Sequence, residues 1–261
     1  MATARPEREG AGATAPPAAI VLGLPVSRCD RAQALRLCEE VVAQQRRGPA
    51  RPLHVVTLNP EILMQARRLP DLRAVVRRAG LVLADGQGIV WAARRLGLPA
   101  LDRVAGVDLL EDLAQLAAQR GWRLFLLGAA PGVAWAAASR LQARHPALVV
   151  AGTAAGSAAA ADGPALAREI AGTRADILAV AFGAPRQELW LDRQLVATGC
   201  SVGIGVGGSL DVLAGRVPRA PAWLRGRGLE WAWRLLRQPR RLPRMLRASP
   251  FFWLVWRERP R

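Results

Sequence analysis

A carboxylate placed directly after an apolar run and before a glycine can face a cleft, and Asp85 in "LVLADG" (81–86) stands in that setting. There it would act as a general base, taking a proton from an attacking hydroxyl. The same position suits an N-cap for a helix starting near Gln87, where aspartate accepts from free backbone N–H groups. Thr57 and Asn59 in "HVVTLNP" also end an apolar run. They either face a ligand or form a cap or Asx-turn ahead of Pro60. "GAPRQELW" (183–190) puts Arg186, Gln187 and Glu188 at the start of a helix behind Pro185, where unpaired N–H groups and the helix dipole favour an anion. Those side chains either cap the helix or turn to a ligand. "LDRVAGVDLLEDL" adds Arg103 and Asp108, and "GVGGSLDVLAG" adds a glycine-rich turn with Asp211.

Other chemistries lack their residues. "GAAPG", starting at Gly128, could admit a phosphate, but it is not the G-x-G-x-x-G of a dinucleotide site, and no G-x-x-x-x-G-K-[ST] is present. The glycines of "GIGVGG" alternate inside a strand, which more often means close packing. His54 and His145 are too few and too far apart in sequence for a zinc centre. No Asp-x-Asp pair stands ready to hold a divalent ion for a nucleotide-sugar. A bound diphosphate would therefore draw its positive charge from arginines and helix N-termini, and no metal or other cofactor is expected.

The elements that must position these residues alternate. "HVVTLN" (54–59), "LVLADG", "WRLFLLGA" (122–129), "ALVVAGT" (147–153), "ADILAVAFG" (175–183) and "CSVGIGVGG" (200–208) read as strands of buried type. Helical patterns separate them, among them "VDLLEDLAQLAAQRG", which stops at Gly121. Strands apolar throughout suit a parallel sheet covered on both faces. The spacing predicts an α/β fold with a Rossmann-like, doubly wound, mainly parallel sheet. In such folds ligands bind beyond the carboxyl ends of the strands, where the polar residues above fall.

After Gly215 the pattern changes to short amphipathic helical stretches punctuated by proline. From Arg216 onward 13 arginines stand against Glu230 and Glu258, a net +11 out of +17 for the whole chain, which contains no lysine. Charge so placed suits an anionic partner. Residues 1–18 read as a disordered tail, 19–215 as the core and 216–261 as a basic, tryptophan-rich helical appendage. "FFWLVW" (251–256) is far short of the roughly 20 residues a spanning helix needs, and the start has no secretion signal. A soluble or peripheral protein is expected. Cys29, Cys38 and Cys200 have no metal-type spacing and an odd count, as for reduced cytosolic thiols.

Taken in order, "TLNPEIL", "LADGQGIVWAARRLG", "RVAGVDLLEDL", "LFLLGAAPGV", "AFGAPRQELW", "GVGGSLDVLAG" and "RAPAWLRGRGLEWAWRLLRQPRR" resemble the WecG/TagA/CpsF family of bacterial glycosyltransferases, from about residue 54 to 247. The resemblance implies an inverting enzyme that moves a sugar, often N-acetylmannosamine or its uronic acid, from a UDP-sugar donor. The implied acceptor is an undecaprenyl-diphosphate-linked N-acetylglucosamine, in the synthesis of wall teichoic acid, enterobacterial common antigen, capsule or exopolysaccharide. It further implies a Rossmann-like core, no required metal, and a C-terminal appendage that engages the membrane and completes the site. On this alignment Asp85 is the base of the "ADG" motif, and Thr57 and Asn59 line its pocket. Arg103 is the arginine of "R..G.D", Gln187 the glutamine of "P.QE", and Arg234, Arg241 and Arg244 the appendage arginines that approach a diphosphate. Arg186 stands where lysine is common and keeps its charge.

Arginines among tryptophans also suit an interface, with rings at the headgroup level and guanidiniums on lipid phosphates. The expected partners are thus a UDP-sugar, a polyprenyl-diphosphate-linked glycolipid acceptor and an anionic membrane surface, at a cytoplasmic site on the inner face of the cell membrane. Self-association as a homo-oligomer stays open. A nucleic-acid-binding protein with a Rossmann-like core would use the same charge on backbone phosphates, but it leaves the strand-end residues without a role. A Rossmann oxidoreductase or methyltransferase lacks its glycine fingerprint, and a nonenzymatic scaffold with a docking tail is the remaining alternative.

Overall fold

The computed structural model describes residues 16–221, 223–224, 230–237, 239 and 242–258. A short antiparallel hairpin, β1 (Ala18–Val21) and β2 (Leu24–Ser27), opens the described chain and is followed by α1 (Arg31–Arg47). The succession is then β3 (Leu53–Leu58), α2 (Pro60–Arg68), α3 (Pro70–Arg78), β4 (Leu81–Ala84), α4 (Gln87–Arg95) and α5 (Gly106–Arg120). It continues with β5 (Arg123–Gly128), α6 (Val133–Arg144), β6 (Val149–Ala154), α7 (Gly163–Gly172) and β7 (Ile177–Ala181). The core ends with α8 (Arg186–Thr198), β8 (Val202–Gly205) and α9 (Ser209–Leu213). Strands β3 to β8 form one all-parallel sheet in the order β4-β3-β8-β7-β5-β6.

Both faces of the sheet are covered, which explains why its strands lack apolar–polar alternation. On β3, Val55 joins the layer built with α1, α5, α6 and α9, including Leu37, Leu109, Leu113, Leu141 and Leu210. Its neighbours Val56 and Leu58 point the other way, toward α2 and α4. Farther along that second face, Phe125, Leu178 and Val180 pack against Leu191 and Leu195 of α8. The exception is β6. It was expected to be of buried type, yet it is one of the sheet's two edges, with only β5 beside it and its residues half-buried or exposed. At the other edge, β4 is buried throughout. An apolar run alone does not tell a central strand from an edge strand.

Local signals set the boundaries. Gly121 ends α5 in the left-handed region (φ 64°, ψ 33°), a conformation that favours glycine. Proline opens α2 and α3, where its missing N–H costs nothing. The strand–helix alternation does not anticipate β1, β2, α1, α3, α7 or α9. The first of these helices carries its own signature, a capping box in which Asp30 accepts from the Gln33 N–H and the Gln33 side chain accepts from the Asp30 N–H.

Candidate active site

The ends of β4, β3, β8 and β7 are neighbours, so "LADG", "TLN", "GVGG" and "GAPRQE" come to one stretch of the carboxyl edge. There the Asp85 N–H donates to the Leu58 carbonyl (2.8 Å) and the Val104 N–H donates to the Ala84 carbonyl (3.0 Å). Ala84 bridges Arg103 in parallel, which brings Asp85 and Arg103 onto the same edge although 18 residues separate them in sequence. Asp85 is half-buried. The N-cap of α4 falls on Gly86, so the cap position is one residue beyond the carboxylate.

Thr57 and Asn59 do structural work. The Thr57 hydroxyl is buried and donates to the Gly205 carbonyl (2.7 Å), tying β3 to β8. Asn59 Oδ1 accepts from the Ile62 N–H (3.0 Å) and caps α2, a contact worth about 1 kcal/mol. The cap reading of Asn59 therefore holds. Gly128 is also accounted for within the sheet: at φ 101°, an added Cβ would meet the Ala181 backbone at 2.8 Å. Its glycine answers to the approach of β7.

Gln187 and Glu188, expected to cap the helix or turn to a ligand, are buried, at 2 % and 0 % exposed. Gln187 Oε1 accepts from the Gly183 N–H (3.1 Å) and the Gly207 N–H (3.0 Å), and its Nε2 donates to Glu188 Oε1 (2.8 Å). Burial pushes the Glu188 carboxyl up to about 7. Arg186 is exposed and donates to the Phe182 carbonyl (2.8 Å). It lines a shallow depression with Trp190, Arg193 and Gln194 that includes no residue from the ends of β3 or β4. Sequence spacing located this helix start but not which side chains turn inward.

Among the described residues, the helices α10 (Glu230–Arg237), α11 (Leu242–Ala248) and α12 (Pro250–Arg257) follow the core. The appendage meets the edge through a charge-exchanged pair of contacts. Arg103 donates to Glu230 (2.6 Å), and Arg219 donates to Asp108. Both letters of "R..G.D" that carry charge are thus engaged by residues after Gly215, and Arg103, expected on substrate, is paired with a carboxylate. Arg241 and the side chains of Arg234 and Arg244 lie outside the described residues. On α12, Phe251 and Val255 are fully buried in the layer with α2 and α4, while Trp253 and Trp256 are exposed. Trp91 of α4 meets Phe252 with ring centroids 5.4 Å apart.

The clasp yields a direct prediction. Arg219→Asp alone sets two carboxylates against each other and should weaken appendage docking by about 1–3 kcal/mol, between the values for exposed and buried pairs. The double variant Asp108→Arg/Arg219→Asp should regain most of that loss. Limited proteolysis after Gly215 reads it out, and equal cleavage of single and double variants would show that the pair does not hold the segment.

Residues 19–261 match the glycosyl transferase WecG/TagA/CpsF family. The chain belongs to that family. It is therefore a glycosyltransferase, and the parallel sheet with its C-terminal helices is the architecture expected from the sequence. The chain is 37 % identical over 192 residues, 74 % of each chain, to an N-acetylglucosaminyldiphosphoundecaprenol N-acetyl-beta-D-mannosaminyltransferase of Bacillus spizizenii. Against the Bacillus subtilis protein of the same name it is 33 % identical over 204 residues, 78 % of this chain and 79 % of the relative. Among the described residues of this glycosyltransferase, no helix is long and apolar enough to cross a membrane. Its three cysteines are free and buried, and burial pushes their thiols up to about 11 for Cys29 and Cys200 and about 12 for Cys38.

Proposed function

We propose that this glycosyltransferase moves an N-acetylmannosamine-type sugar from a UDP-linked donor to a polyprenyl-diphosphate-linked N-acetylglucosamine, with inversion, at the inner face of the cell membrane. The names of the two relatives support the sugar and the acceptor. The observation that carries the mechanism is Asp85, half-buried on the same strand edge as Arg103, where the appendage closes through Glu230.

A single displacement needs one base. Asp85 takes the proton of the acceptor hydroxyl as that oxygen bonds to the anomeric carbon, and the bond from that carbon to UDP breaks on the opposite face. The departing diphosphate gains negative charge. Guanidiniums fixed in advance stabilise it more in the transition state than in the ground state. Arg103 and the appendage residues Arg234, Arg241 and Arg244 fill that role, and no metal is required. On this reading residues 19–215 are the catalytic core and 216–261 the appendage. The exposed rings of Trp231, Trp253 and Trp256, interleaved with arginine, rest on anionic lipid at roughly 1 kcal/mol per cation.

The test is mass spectrometry on a panel of UDP-sugars with a synthetic prenyl-diphosphate N-acetylglucosamine. The expected product carries one added N-acetylhexosamine, formed equally with and without EDTA. No adduct from any donor would overturn the reading, and a strict requirement for magnesium or manganese would overturn its arginine-based leaving-group chemistry.

A further inference from the structure

We infer that Glu188 is a positioning residue, whose carboxyl group fixes the direction of the Gln187 amide and, through it, the two turns that follow β7 and β8. Only an oxygen can accept from both the Gly183 and Gly207 N–H groups, so the Gln187 NH2 must point away from them. It points at Glu188 Oε1. The amide has little room to turn, since an added Cβ at Gly205 would stand 2.8 Å from Nε2. Glu188 itself is fully buried, and its Oε2 has no hydrogen-bond partner among the described residues. Burying a carboxyl this way is costly, and the side chain Glu188 does engage is the one that ties both turns. Gly183 and Gly207 flank the edge where β7, β8 and β3 end, so a rotated Gln187 amide would loosen the bed of the site without touching substrate.

The titration of Glu188 supplies a signature. Among the described residues Glu61 on α2 faces it electrostatically. His54 on β3 and Arg78 on α3, elements that also pack on α8, interact with Asp192. Arg168 and Glu169 on α7 are exposed. With its carboxyl raised from 4.5 to about 7, Glu188 contributes stability below about pH 4.5 that is lost as pH rises through 7. His54, lowered by burial to about 4, acts in the opposite direction: its contribution is present above about pH 6.5 and lost toward pH 4. Wild type and Glu188→Gln share His54, so their difference isolates Glu188.

The experiment compares the full chain with Glu188→Gln, which keeps an acceptor, and Glu188→Met, which does not. Glu188→Gln should retain slow hydrogen exchange at the Gly183 and Gly207 amides, and should gain more in melting temperature over wild type at pH 8 than at pH 5. Glu188→Met should exchange both amides about tenfold faster and lose about tenfold in kcat with KM little changed, the effect of one lost hydrogen bond. The kinetic arm rests on the proposed transferase reading; the exchange and melting arms do not. A wild type that transfers nothing sinks that reading alone. Wild-type exchange in Glu188→Met, or fast exchange at Gly183 and Gly207 in Glu188→Gln, overturns the positioning role. Should Glu188→Met fail to fold, amide exchange at Gly183 and Gly207 in Glu188→Gln still decides.

Discussion

Asp85→Asn should leave the fold intact and lower sugar transfer by about 10²–10⁴-fold, the range assigned to a positioned general base. The backbone N–H of residue 85 donates to Leu58, a bond that asparagine keeps, and the helix cap falls on Gly86. Size and half-burial are preserved while the basic oxygen is replaced by an amide. Initial rates at saturating donor and acceptor, alongside thermal melting, make the comparison. Turnover equal to wild type would remove Asp85 from the mechanism and leave Arg103 and the clasp as features of docking only.

Phe251→Ala should separate membrane attachment from catalysis. The ring is fully buried against α2 and α4, and deleting a buried phenylalanine ring costs about 3–5 kcal/mol. The helix that carries it has eight residues, too few to stay folded and in place without tertiary contacts. Its outward rings and the arginines around it are untouched. The variant should still sediment with anionic vesicles, yet transfer at least tenfold more slowly, because the appendage no longer closes on Arg103. Deleting residues 217–261 should abolish both properties. Wild-type transfer by Phe251→Ala would show that docking of α12 is dispensable for the reaction.

The doubly wound sheet was legible because parallel strands buried on both faces leave continuous apolar runs, as in "HVVTL" and "ILAVA". What those runs do not carry is lateral order. That β8, the last strand in sequence, lies between β3 and β7 depends on contacts across some 150 residues, such as Thr57 with Gly205. The edge position of β6 is hidden for the same reason. A local signal was available for α1, in the Asp30–Gln33 capping box. At the site, spacing identified the residues at strand ends but not their direction. Asn59 looks the same in sequence whether it caps α2 or meets a ligand, and Gln187 turns inward because two glycine N–H groups converge on it. The engagement of Arg103 by Glu230 spans 127 residues and has no local trace.

The closed, protonated thiols make the enzyme convenient to label. Cys29, Cys38 and Cys200 are all buried, and maleimides attack exposed thiolates, so a cysteine introduced at Trp253, whose side chain is about half exposed, would react alone in the folded protein. A spin label or environment-sensitive dye there would report whether α12 enters a bilayer, with the native cysteines left in place.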